Sequence, residues 1–148
     1  MQLGHYKSYV NLGYLSQQGI PGHPKNLEKA LALYLDGVEK GDPRAYVALG
    51  LYYRYVNSYI FDLSRAYYWF QQGIEKNPNN DVAFAYAEAM RLVGDGTPAE
   101  PELAISRLKT AIRNGNMDAA AMLGCFASVE IRQFHLLVKL YMMAANRR

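Results

Sequence analysis

Apolar and polar positions alternate along this chain with the period of an α-helix, and the helical stretches themselves recur. Tyr6 to Gln18 carries Ser8, Leu12 and Leu15 at near-helical spacing, and Gly19, Pro21, Gly22 and Pro24 then break it. A second helix follows Asn26, a good N-cap residue, runs through Ala30, Leu33, Tyr34 and Val38, and stops at Gly41, where a left-handed C-cap is expected. Pro43 opens a third helix as its first residue, and a fourth begins near Asp62 and ends at Asn77, the second choice for positive φ. The third stretch pairs Asp81–Val93 with Glu102–Asn114 around a Gly94-Asp95-Gly96-Thr97-Pro98 turn. The last pairs Asp118–Glu130 with Phe134–Asn146.

These eight predicted helices repeat in pairs. Gly13, Gly50, Ala87 and Gly124 stand 37 residues apart, preceded by Leu12, Leu49, Tyr86 and Leu123. In the second helices Tyr34, Phe70, Leu108 and Tyr141 align, and Gly37, Gly73, Ala111 and Ala144 follow three later. A glycine inside a helix costs about 1 kcal/mol against alanine. Repeated at matched positions, it predicts close approach of two helices beneath a large side chain. A period in this range marks a solenoid, each unit burying its apolar face against its neighbours. The units span 5–41, 43–77, 80–115 and 117–148 of a single domain, 1–148. From the first-helix glycine position to the second-helix ring the spacing is 21, 20, 21 and then 17 residues, so the fourth unit has lost about one turn of its connecting loop.

The combined pattern small-x-x-x-Leu-Gly-x-x-Tyr, a Gly-rich loop and then Lys-Ala-x-x-Trp/Leu-Tyr/Phe resembles the Sel-one-like repeat family, relatives of the tetratricopeptide repeats. Residues 8 to 41, with Leu12-Gly13, the loop Gly19-Ile20-Pro21-Gly22 and Lys29-Ala30, carry it best. Val56 replaces the loop-opening glycine of the second unit, Ala87 departs in the third, and the loop departs in the fourth. The resemblance implies an all-α fold, a right-handed α-α superhelix, and a scaffold or adaptor that binds a protein or peptide in its concave groove. Among bacterial relatives it also implies a regulatory or toxin-neutralising role. The other reading is a structural segment of a longer solenoid, making end-to-end or dimer contacts.

Composition narrows the partners. The net charge of +3 is modest and its signs are interspersed, with no basic face for nucleic acid. No apolar run approaches the ~20 residues of a membrane span. The first twenty residues include Lys7, Asn11, Gln17 and Gln18, which break a signal-peptide core, so the chain as written reads as cytoplasmic. His5, His23 and His135 lie far apart, and Cys125 has no histidine near it in sequence. No acid–base pair, metal-ligand spacing or phosphate loop emerges. The expectation is therefore no enzyme, no cofactor and no metal.

Two surfaces stand out. On a helical wheel the side of each first helix away from its core carries Val10, Val47 and Phe84, then Tyr14, Leu51 and Glu88, then Gln17, Arg54 and Arg91. If first helices line the concave side, this stripe is a partner-binding groove with an apolar floor, its arginines meeting an acidic partner. The competing account buries Val10, Val47 and Phe84 between adjacent units. The second surface is the last helix, apolar almost all round, with Leu137, Leu140 and Met143 expected to face outward. Such a face predicts a homodimer or a continuing chain, and Arg147 with Arg148 gives it a polar finish.

Overall fold

The computed structural model describes residues 5–56 and 62–145. Helices α1 (His5–Gln18), α2 (Leu27–Glu39) and α3 (Pro43–Leu51) come first, α3 running on into a π-helical turn, Tyr52–Val56. Then follow α4 (Leu63–Lys76), α5 (Asp81–Val93), α6 (Pro101–Arg113) and α7 (Met117–Ala145). Each helix packs on the next, and α5 also packs broadly on α7, so the units stack side by side as an all-α solenoid. Arg147 and Arg148 lie outside the described residues.

The helix starts are written in short polar side chains. Asn26, Asp62, Asn80 and Asn116 each accept a hydrogen bond from the backbone N–H three residues on, and Asp42 accepts one from Arg44 N–H, satisfying donors that a helix leaves open. Two of these caps do more. Asn80 donates from its amide to the Pro43 carbonyl at 3.5 Å, and Asn116 donates to the Asp81 carbonyl at 3.2 Å. Each cap thus ties the first turn of one unit to the first turn of the unit before it.

The helix ends follow φ. Gly41 and Gly115 adopt φ of +85° and +93°, a region closed to most side chains. Asn77 departs from its expected left-handed cap: its φ is −142° and its backbone extended. Pro78 is the reason, because a proline's Cδ pushes the preceding residue into the extended region.

The core shows why the glycines recur. A Cβ built on Gly13 would lie 2.6 Å from a ring carbon of Tyr34, and one built on Gly50 would meet the ring of Phe70 closer still. In the third unit the aligned residues are Ala87 and Leu108, both fully buried. A methyl group there takes the room that an aromatic ring gives up. Between units Phe70 stacks on Tyr86 at 5.0 Å with nearly parallel rings, while Tyr34, Tyr52 and Tyr53 meet edge-on.

The fourth unit differs from its expectation. In place of helices Asp118–Glu130 and Phe134–Asn146, a single 29-residue helix runs from Met117 to Ala145. Between Cys125 and Ala145 there is no Gly, Pro, Asn or Asp, and nothing breaks the hydrogen-bond ladder where a loop was expected.

Candidate functional site

The residues of the predicted stripe divide by what they touch. Val10 and Val47 are half-buried and pack against the core, Val10 lying 3.4 Å from where a Gly37 Cβ would stand. Leu51 is also half-buried on the core. Phe84 borders a cleft of about 510 Å3 between the first turns of α5 and the outer side of α6. Tyr14 is exposed. The structure therefore does not bring the stripe together as one open groove.

The line Gln17, Arg54, Arg91 is spent largely within the chain. Gln17 accepts a 2.8 Å hydrogen bond from the Tyr34 hydroxyl. Burial, with Tyr14 and Tyr52 nearby as lesser causes, pushes the Tyr34 hydroxyl up to about 12. Arg91 donates to Tyr67 and Glu100 and lies 3.3 Å from Glu88. Glu88 is a correction to its expected place on a partner surface: it is buried, with Arg91 and Arg107 each at 3.3 Å. Its carboxylate holds α5 to α6 and does not reach outward. The Arg91 Nε and Glu88 Oε2 pair is buried and charge-balanced but not aligned as a hydrogen bond. An acidic partner for Arg54 and Arg91 was the expectation, yet both charges are already met inside the chain.

What remains on the surface is an aromatic pairing that the stripe overlooked. At the end of the π-helical turn the Arg54 guanidinium lies 5.1 Å over the ring of Tyr55 and donates to its hydroxyl at 2.7 Å. Asp95, from the loop after α5, lies 3.1 Å from the other side of the guanidinium. Tyr55 is 60% exposed. Tyr86 senses the same cluster: burial raises its pKa first, Tyr55 and Asp118 add to the rise, and Arg54 opposes it. The π turn explains why the wheel missed Tyr55. One extra residue per turn rotates everything after Leu51 away from the 100° register.

Among the described residues no group of three or more His, Cys, Asp or Glu is placed to hold a metal, and no helix is long and apolar enough to cross a membrane. The apolar face expected on the last helix is present: Leu137, Leu140 and Met143 are all exposed.

The fold is similar to two solved structures. A Sel1 repeat protein from Oxalobacter formigenes superposes with a TM-score of 0.66 at 32% identity, over 80% of this chain and 46% of that one. A protective antigen of uropathogenic Escherichia coli strains, c5321, with an SLR fold, superposes at 0.68 and 24% identity, over 87% of this chain and 27% of that one. The chain spans less than half the length of either. No family model matches it, and no curated protein matches it significantly.

Proposed function

Because the chain is a Sel1-like repeat solenoid, we propose that it is a protein-binding scaffold whose recognition surface is built around Arg54 and Tyr55. The observation that carries this reading is the exposed Tyr55 ring locked under Arg54, whose charge Asp95 already balances. A preordered tyrosine–arginine pair gives contact area without a large ordering cost. These two residue types are enriched among those that dominate protein interfaces. Charge balance points to a partner segment with aromatic or aliphatic side chains and hydrogen-bonding backbone, not to an acidic one. Leu51 stands one turn before the pair on the same first helix. A regulatory adaptor or a toxin-neutralising protein would both use such a surface.

Affinity capture from the source organism with the tagged full chain tests this. Proteins retained by the parent and lost from Tyr55→Ala, at equal helicity, support the surface. An identical set captured by both moves the site elsewhere.

A further inference from the structure

Helix α7 carries an apolar seam along its whole length. Counting heptads with Met117 at a, all nine a and d positions from Met117 to Ala145 are apolar or glycine, among them Gly124 and Ala127 in the first half and Val138 and Tyr141 in the second. Four unbroken heptads of this kind are the pattern of a helix that pairs with another. The first half already packs on α5 and α6 through the side that carries Ala119, Met122 and Phe126, opposite Gly124. The seam is therefore the face left over.

The repeat register says what the seam lacks. In the first two units the glycine is covered by the ring aligned with it, Tyr34 over Gly13 and Phe70 over Gly50. The aligned ring in the fourth unit is Tyr141, yet among the described residues nothing beyond its chain neighbours and its own helix's backbone lies within 4 Å of a Cβ at Gly124, and Tyr141 is 74% exposed. On a continuous helix the two residues are 17 positions apart, about 25 Å along the axis. A chain that keeps α7 straight cannot close this pair on itself. The missing turn of loop has the same consequence, since a shortened hinge favours exchange of an element between copies.

We propose that two copies of this chain pair through α7, antiparallel about a two-fold axis near residues 132 and 133, each copy's Tyr141 covering the other's Gly124. The register closes without adjustment. A separation of 17 is two heptads and three, so Gly124 at a meets Tyr141 at d, the layer an antiparallel pair forms. The same axis sets Ala127 at d opposite Val138 at a, the neighbouring layer of the seam. The exchange rebuilds between chains the helix pairing that the earlier units build within one. Of the residues expected at a dimer contact, Leu137 borders the seam, while Leu140 and Met143 lie to its outer side.

The test uses the purified full chain alone, so it is independent of any partner at Tyr55. In a Cys125→Ser background, Ala127→Cys and Val138→Cys variants with different tags are mixed and gently oxidised. A disulfide joining the two differently tagged chains is expected, at twice the single-chain mass of 16.7 kDa. Gly124→Leu meets nothing within its own chain and should keep its helicity while its mass in solution falls to that of one chain. Three results would overturn the proposal. These are a disulfide closing within one chain of the double variant, a parent chain that sediments as a monomer, or masses growing beyond two. The last would seat the apolar end of α7 against Leu12, Leu15 and Ile20 of a following copy.

Discussion

Gly13 lies directly beneath the ring of Tyr34, so close that a single added methyl group would stand 2.6 Å from the ring's Cε1. The same relationship joins Gly50 to Phe70. Alanine at either glycine gains helix propensity worth about 1 kcal/mol but overpacks a fully enclosed ring, which costs about 1–3 kcal/mol or more. Gly13→Ala and Gly50→Ala should therefore both lower the thermal midpoint, whereas Gly124→Ala, which meets nothing in its own chain, should leave the monomer's helices intact. Midpoints at or above the parent's for the first two would contradict the packing described.

Asn116 caps α7 through its carbonyl oxygen and ties that helix to Asp81 through its amide. Aspartate keeps the cap and loses the tie. Asn116→Asp should cost about 1 kcal/mol or more, and Asn116→Ala more still, because the cap goes too. Urea denaturation separates them; equal losses for both would mean that the link between units contributes nothing.

Tyr34 predicts an alkaline transition. Its folded pKa is raised to about 12 from an ordinary 10, so the unfolded chain loses this proton first. The stability that the neutral hydroxyl contributes is complete below pH 10 and is lost as pH rises towards 12. Tyr34→Phe, lacking the titrating group and its bond to Gln17, should be less stable at neutral pH and should fall less steeply above pH 10. Denaturant midpoints measured across that range check the slope, and identical slopes would remove Tyr34 as its source.

Glu88 sits buried between two guanidinium groups. Glu88→Gln leaves Arg91 without one of its ionic partners in a water-poor site and should cost about 1–3 kcal/mol. Glu100→Gln, at the exposed end of the same network, should stay within about 1 kcal/mol of the parent. Reversal of that order would relocate the centre of the network.

Much of the fold was legible because it rests on residues with strong local rules. Asn26, Pro43, Gly41 and Gly115 mark helix ends by chemistry that acts within one turn, and the structure has them there. The glycine period exposed the solenoid because a backbone under a ring tolerates no other residue. Asn77 misled because a rule about Asn met a stronger one about the residue before proline. The split of the last helix misled because alignment with earlier units supplied a loop for which the residues 125 to 145 contain no breaker. The site was the least legible. Burial of Val10, Val47 and Glu88 depends on packing between helices far apart in sequence, and the π turn that presents Tyr55 shifts a helical wheel that assumes constant pitch.

The continuity of α7 carries the most of this account, and a distance within one chain measures it. Spin labels at Asp118 and Lys139, placed on one side of the helix in a Cys125→Ser background and diluted with unlabelled protein, report their separation. A straight α7 puts the two backbones 21 residues, about 31 Å, apart. A helix folded back so that Tyr141 covers its own Gly124 would bring them to roughly half that, and a distribution centred there would contradict both the single helix and the pairing built on it.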